Sequence, residues 1–596
     1  MDGKPQGEGR AMTYRAPVKD LVFALIEAAG FERLAPYAPG VDRDMVEAVL
    51  DAAGELASGV IAPLNRPGDV QGSRLLNGRV VAPDGFADAY KAFAQGGWNS
   101  LSAREAFGGQ ALPKALELAV FEMVNGANMA FALCPTLTQA AIEALQAHGT
   151  ARQQALYLPR LVSGEWTGTM HLTEPQAGSD LAAIRTLAEP DGDGSWRITG
   201  EKIFITWGDH DLTDNIVHLI LARTPGAPEG ARGLSLFLAS TRLVEEDGRL
   251  GQANQLRAAS LEHKLGIHAS PTCVMLYEGA RAELVGELNQ GLPHMFTMMN
   301  AARVLVGVQG VGIAEAAFQH ALDYARERRQ GRSEWSKDRS SAIIDHPDVR
   351  RMLMVMKAKT EAARAICLAT GVAADLAKLS PDEVERRAAG QRAELLTPVA
   401  KAWSTDVGVE VASLGVQVHG GMGFIEETGA AQFYRDARIA PIYEGTNGIQ
   451  SIDLVGRKLG IGGGGAVRDL LAEMRAIIPA LAASTGLAAV GQRLTAGVDA
   501  VEQGAAWLAE HPGADALAGA TTYLGLLGDV LGGFMLVKGA LAASRRLAGG
   551  EDDAWLRGRI GLATVYSDQV LAPAPGKLAA VTAGAGDLER ADALLA

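Results

Sequence analysis

The chain has 596 residues, 48% of them hydrophobic and 21% charged, an ordinary globular composition with length for about three to five domains. A net charge of −14 argues against a nucleic-acid binder, which needs Lys and Arg to neutralise phosphates. Three scattered cysteines, Cys134, Cys273 and Cys367, exclude a disulfide framework and a zinc ribbon and suit a reducing compartment as small core residues.

Met1 to Ala11 is polar and Gly-rich, with neither the apolar core of a secretory signal nor an Arg-rich amphipathic pattern; Met12 is a second candidate start. From Val18 to about Glu165 apolar residues recur three and four apart, which predicts helices, with breaks at Ala62-Pro63, Pro67-Gly68 and Gly108-Gly109. The period then changes. Trp166 to Leu172, Ser195 to Thr199, Lys202 to Thr206, Ile216 to Ala222, Gly233 to Ala239 and Thr272 to Tyr277 read as strands, with a hairpin corner at Thr199-Gly200-Glu201-Lys202.

Helices return after about Gly291. One long helix is expected from Ala301 to Arg329, then others from about Pro347 to Leu379 and from Glu394 to Gly415, with a helix start at Pro381-Asp382-Glu383. Gly460 to Gly465 reads as a hinge or linker. Beyond it, Val467, Leu470, Leu471, Met474, Ile477, Ile478 and Leu481 form one helical stripe, and Leu494, Val498, Val501 and Leu508 a second. The apolar run Thr522 to Ala543 contains Asp529, Lys538 and several glycines, so it reads as a buried helix rather than a membrane span.

Four separated segments carry chemistry: Leu172-Thr173-Glu174-Pro175-Gln176-Ala177-Gly178-Ser179-Asp180, Lys202-Ile203-Phe204-Ile205-Thr206, Gln417-Val418-His419-Gly420-Gly421-Met422-Gly423-Phe424, and Ile439-Ala440-Pro441-Ile442-Tyr443-Glu444-Gly445-Thr446. In the last, one carboxylate stands between an aromatic residue and a Gly-Thr turn after an apolar approach. Such surroundings strip water from a carboxylate and favour general-base behaviour. In this order and spacing the four segments resemble the flavin-dependent acyl-CoA dehydrogenases, over roughly Tyr14 to Lys458.

The resemblance implies a mainly α fold with a central β domain. It places an N-terminal helical domain at 1–165, a β-barrel or sandwich domain at 166–290, and a C-terminal four-helix bundle at 291–459. An additional helical domain, 460–596, is an elaboration on it. The activity implied is α,β-dehydrogenation of an acyl-CoA thioester to the trans-2-enoyl-CoA. A base takes the α-proton while a hydride leaves the β-carbon, and since no side chain accepts hydride, a cofactor, FAD, is required.

Glu444 falls on the family's base. Relatives that place their base on the long helix would carry it near Asn300-Ala301-Ala302-Arg303, which has no carboxylate. The family stabilises the thioester oxygen with a flavin ribityl hydroxyl and the backbone N–H of that glutamate. Met170, Leu172, Thr173, Gly178 and Ser179 match the flavin-holding strand and loop, Ser179 reaching the pyrophosphate or the pantetheine arm. Taken singly, the same residues read as tight turns or caps. His171 replaces a small residue and reads as a hydrogen-bonded strand histidine. Phe204 aligns with an aromatic packed on the isoalloxazine, beside Ile205, and Thr206 with a hydroxyl near flavin N5; Trp207 stands where Asn is frequent.

Arg328, Gln417, Gly420, Gly421 and Gly423 match residues that approach the FAD of a neighbouring subunit, which implies a homodimer or homotetramer. A polar loop follows Arg328 where the family has Phe-Gly-Lys. Thr446 completes the ring contacts. Asn300, where the family usually has Asp, Arg303, Tyr443 and Gly445 align with substrate contacts. No metal is implied.

Electron-transferring flavoprotein is the implied electron acceptor, and an acyl-CoA oxidase is the enzymatic alternative. Relatives that bind DNA are disfavoured by the mixed charge after Ala466; relatives that dock to membranes keep the run around Phe534 in question. The Tyr14-Arg15-Ala16-Pro17 start and the long tail resemble a bacterial branch acting on 3-(methylthio)propanoyl-CoA or ordinary fatty acyl-CoA chains, with a cytoplasmic location expected.

Overall fold

The computed structural model describes residues 14–596, so the N-terminal expectations for Met1 to Ala11 and Met12 lie outside the described residues. The chain forms two compact units. One comprises the residues up to Gly54, Lys114–Gly126 and Val306–Ala596; the other comprises Glu55–Pro113 and Ala127–Leu305.

The second unit is built on a seven-stranded sheet. Trp196–Thr206 and Leu234–Ser240 both pair with the long strand Thr272–Val285, Leu187–Pro190 and Leu234–Ser240 both pair with Ile216–Arg223, and Leu187–Pro190 also pairs with Trp196–Thr206. These pairings close a ring, so the β domain is a barrel. Thr167–His171 runs parallel to Ile216–Arg223 on the outside of that ring, and Leu256–Leu261 pairs antiparallel with Thr272–Val285. Ile198, Ile220, Phe237 and Met275 fill one core; Trp166, Leu219, Leu236 and Met298 belong to another.

Several expectations are corrected here. There is no hairpin corner at Thr199–Lys202: Trp196–Thr206 is one continuous strand, in register with Thr272–Val285 on both sides of Gly200. Gly200 is needed for close approach, because a Cβ there would lie 2.6 Å from Thr186 Oγ1. Pro67-Gly68 does not break a helix but sits in the first turns of Asn65–Gln71, where a missing N–H costs nothing. A small hairpin, Arg74–Leu76 with Arg79–Val81, was not expected; Asn77 and Gly78 at φ 52 and 78 form its turn.

The other unit is helical. Pro347–Leu379 matches its expectation, and Glu383–His419 starts earlier than expected, with Asp382 accepting from the N–H groups of Val384 and Glu385. The long helix begins at Gly291 rather than Ala301 and ends at Glu327, belonging to this unit from Val306 on, which leaves Arg328 just beyond it. Gly462, Gly463 and Gly464 all have positive φ and make a tight turn into Gly465–Ala476. The stripe after Val467 breaks at Ile477, where Pro479 opens a new helix, Ile478–Ala483. The apolar run lies in Ala514–Ala548, 89% of whose most apolar window is buried, as its reading as a buried helix requires. Cys134, Cys273 and Cys367 are buried free thiols.

Candidate active site

In the barrel unit the strand Thr167–His171 is buried along its whole length. Gly168 lets it lie against the Met129–His148 helix, where a Cβ would come 2.5 Å from that of Ala141. Thr169 Oγ1 donates to the Thr206 carbonyl at 2.8 Å, which ties the two motif strands together. His171 is hydrogen-bonded on both ring nitrogens, to the Tyr277 hydroxyl and to His218 Nδ1, and burial lowers its pKa well below the ordinary range. It is a structural histidine, as expected.

After the strand, Lys202 Nζ donates to the Leu172 carbonyl at 2.9 Å and to Glu174 Oε1 at 2.8 Å. The Glu174 carboxylate also accepts from the N–H groups of Arg185, at 2.7 Å, and Thr186, at 3.0 Å. Burial would raise its pKa, but Lys202 and these donors hold it down to about 2; burial in turn pulls Lys202 down to about 8. The Thr173 carbonyl accepts from Ile203 N–H at 2.9 Å, and Gly178 and Ser179 stand exposed at the loop tip.

Seven non-glycine residues among those described have positive φ. Two are asparagines, which tolerate it; three are the motif residues Phe204 and Glu444, at φ 59 and 56, and Trp207 just past the Lys202–Thr206 segment, at φ 52. Such conformations persist only where the surroundings over-determine them, and they cluster at functional sites. Trp207 is buried, its N–H accepted by the Pro271 carbonyl and its indole Nε1–H by that of Ala130. This anchor turns Phe204 outward, 58% exposed. Ile205 packs into the barrel core and Met170 is buried, so their side chains leave only backbone to face a ligand. Arg303 is buried on its helix, donating to Asn300 Oδ1 at 3.0 Å with its guanidinium over the Phe296 ring.

In the helical unit, Glu444 is half-buried and is followed by Gly445 at φ 80, a consecutive left-handed pair. Tyr443 donates its hydroxyl to Gln309 Oε1, and burial raises that phenol's pKa. Thr446 caps the Asn447–Asp453 helix, accepting from Ile449 N–H at 3.2 Å. Arg328, Gln417, Gly420 and Gly421 are exposed. A Cβ at Gly420 or Gly421 would meet nothing within 4 Å, so their backbone is open to close approach, whereas Gly423 is packed with its Cβ position 2.2 Å from the Val416 carbonyl oxygen.

Residues 44–165, 169–280 and 289–460 match the N-terminal, middle and C-terminal domain models of acyl-CoA dehydrogenase, and 470–592 match the acetyl-CoA dehydrogenase C-terminal-like model. The chain is 50% identical to 3-methylmercaptopropionyl-CoA dehydrogenase of Ruegeria pomeroyi, over 94% of this chain and 96% of that one. The chain belongs to the acyl-CoA dehydrogenase family. Like other acyl-CoA dehydrogenases it is an FAD-dependent oxidoreductase acting on acyl-CoA. It is also 31% identical to a broad-specificity linear acyl-CoA dehydrogenase of Mycobacterium tuberculosis, over 94% of this chain and 95% of that one.

Solved structures with this acyl-CoA dehydrogenase's fold include two of similar length. ACDH-11 of Caenorhabditis elegans, in complex with C11-CoA, has a TM-score of 0.77 at 21% identity, covering 96% of this chain and 94% of that one. The Bacillus anthracis acyl-CoA dehydrogenase complexed with FAD has a TM-score of 0.72 at 21% identity, covering 98% and 94%.

The barrel-unit residues fit an isoalloxazine. An outward aromatic face at Phe204, half-buried hydroxyls at Thr173 and Thr206, and an exposed Gly178-Ser179 tip are what a planar, polar-edged ring with a phosphate tail requires. Sequence reasoning passed over two buried lysines, Lys202 and Lys401. The available signal was a lone Lys inside an apolar stretch, as in Val399-Ala400-Lys401-Ala402-Trp403.

Proposed function

We propose that Glu444 removes the α-proton of a bound acyl-CoA thioester. The C–H bond pair becomes the α,β double bond as a hydride departs from the β-carbon, and the product is the trans-2-enoyl-CoA. FAD, when bound, supplies the acceptor for that hydride. The Glu444 N–H donates to the thioester oxygen as enolate character develops. The observation that supports this reading is the left-handed Glu444–Gly445 pair, at φ 56 and 80, a backbone state of the kind that clusters at functional sites.

Thr173, Phe204 and Thr206, with the backbone of Met170, Leu172, Gly178 and Ile205, hold the flavin. Ser179 takes the pyrophosphate or the pantetheine arm, and Thr446 completes the ring side. Tyr443, Gly445, Asn300 and Arg303 serve the substrate. Arg328, Gln417, Gly420 and Gly421 serve the FAD of a neighbouring chain in a homodimer or homotetramer. The exposed Met422, Phe424 and Ile425 beside them, 48%, 86% and 45% accessible, support that assembly. The acceptor is an electron-transferring flavoprotein and the location the bacterial cytoplasm.

The substrate we favour is 3-(methylthio)propanoyl-CoA, on the strength of the 50% identity to a relative bearing that activity in its name. A turnover panel of butanoyl-, octanoyl-, palmitoyl- and methylthiopropanoyl-CoA with a dye acceptor tests this; hydrogen peroxide formed in air would indicate an oxidase instead. Glu444→Gln is expected to remain folded and yellow while flavin reduction at saturating substrate falls about 10²–10⁴-fold. A rate within about tenfold of wild type removes the assignment.

A further inference from the structure

We propose that Lys401 is a positioning residue for the base, a role that rests on the reading of Glu444 given above. Its side chain is fully buried on the Glu383–His419 helix. Burying an ammonium is costly unless it is paired or hydrogen-bonded. Lys401 Nζ donates to the Gly445 carbonyl at 2.9 Å and to Asn447 Oδ1 at 2.9 Å. The Asn447 amide donates in turn to the Ala402 carbonyl at 3.0 Å, Thr405 Oγ1 at 3.0 Å and Asp406 Oδ1 at 2.8 Å. The turn is therefore fastened to one face of a rigid helix through two side chains.

The turn needs that fastening. Glu444 has φ 56, a left-handed conformation that a residue bearing a Cβ adopts only under strain. A flexible turn would let Glu444 relax to negative φ and swing both its carboxylate and its N–H. Fixing the Gly445 carbonyl sets the peptide plane after the left-handed pair, and Gln450 Nε2 approaches the Glu444 carbonyl at 3.5 Å. Lys401 thus selects the backbone state in which Glu444 faces the α-carbon, without touching substrate itself.

The test is α-proton exchange in deuterated water, using a 3-thiaacyl-CoA, whose β-position is sulfur and has no hydride to lose. Exchange reports the base alone. Lys401→Gln is expected to fold and bind FAD, with exchange and kcat both lowered about 10²-fold and KM changed far less. Asn447→Ala, which leaves Lys401 on Gly445, is expected to shift in the same direction by a smaller factor.

Wild-type exchange in folded Lys401→Gln overturns the proposal. If Lys401→Gln does not fold, wild-type exchange in Asn447→Ala overturns it. Glu444→Gln separates the two readings: exchange abolished there but intact in Lys401→Gln sinks only the role of Lys401, whereas exchange persisting in Glu444→Gln sinks the base assignment itself.

Discussion

Lys202 Nζ lies 2.8 Å from Glu174 Oε1, and the two side chains are 0% and 4% exposed. Because Lys202 also holds the Leu172 carbonyl and Glu174 the N–H groups of Arg185 and Thr186, the pair pins both ends of the loop that carries Thr173 and Ser179. Removing one member leaves the other charge buried and uncompensated, which costs about 3–5 kcal/mol. Lys202→Met is expected to lose that much stability in urea titration and to release FAD more readily, and adding Glu174→Leu should recover part of the loss. An unchanged midpoint with full FAD retention would contradict this. With Glu174 held near 2 rather than 4.5, its contribution is complete above the ordinary carboxylate range and is lost as pH falls through about 2.

Gly200 supports a narrower prediction. Its φ of 153 is tolerable to few side chains, and a Cβ would meet Thr186 Oγ1 at 2.6 Å and Thr186 Cα at 3.0 Å. Backbone on one side cannot yield as a flexible side chain would. Gly200→Ala is expected to cost about 1–3 kcal/mol by overpacking, read as a lowered melting temperature. A variant as stable as wild type would mean the two strands separate more easily than their packing indicates.

The reason this glycine was misread shows what sequence patterns carry. A Gly-Glu between two β-branched runs has the composition of a turn, and only the neighbouring Thr186, distant in sequence, makes it a close-approach residue. Helix periodicity served better: Pro347–Leu379 and the stripe of Leu494, Val498, Val501 and Leu508 follow from apolar spacing alone, because burial of one face is written locally. The motif singled out Glu444 as a candidate, but its φ of 56 was not legible, since nothing in Tyr443-Glu444-Gly445 says that Lys401 will hold the following carbonyl. Lys202 and Lys401 escaped notice for one reason: a buried lysine reads as a surface charge until its acceptors, supplied by other elements, are known.

The helical unit contains a pH-sensitive cluster. Arg364 is fully buried and donates through Nε to Glu122 at 2.8 and 3.1 Å and through Nη2 to Glu315 at 2.9 Å. Burial raises Glu122 to about 7 against the opposing pull of Arg364. Folded Glu122 therefore keeps a proton that the unfolded chain releases near 4.5, so the native state binds more protons between those values and stability falls there as pH rises. Glu122→Gln removes that dependence. Its stability relative to wild type should climb between about pH 5 and 7 and level off above. Urea midpoints for both proteins across that range check this, and a constant difference rejects it. Asp375, also raised to about 7 by burial, is common to both proteins and cancels.

The C-terminal extension is predicted to be part of the helical unit's core rather than a separable appendage. Gly528, on the Ala514–Ala548 helix, faces Trp403 so closely that a Cβ would lie 2.2 Å from its Cδ1. Trp403 donates its indole N–H to Asp529 Oδ1 at 3.0 Å, Lys577 holds the other carboxylate oxygen at 2.7 Å, and Tyr566 donates to the Asp529 carbonyl at 2.9 Å. Trp403 lies two residues from Lys401, so a disturbance here reaches the helix that holds the Gly445 carbonyl. Gly528→Val cannot be seated without displacing the indole, and a loss of about 1–3 kcal/mol with altered tryptophan emission is expected. Truncation after Gly464 would expose Trp403 and the apolar faces around it, and the shortened chain is expected to aggregate. Should it instead remain soluble, keep its melting temperature and turn over substrate normally, the extension is an independent module and the packing at Gly528 is incidental.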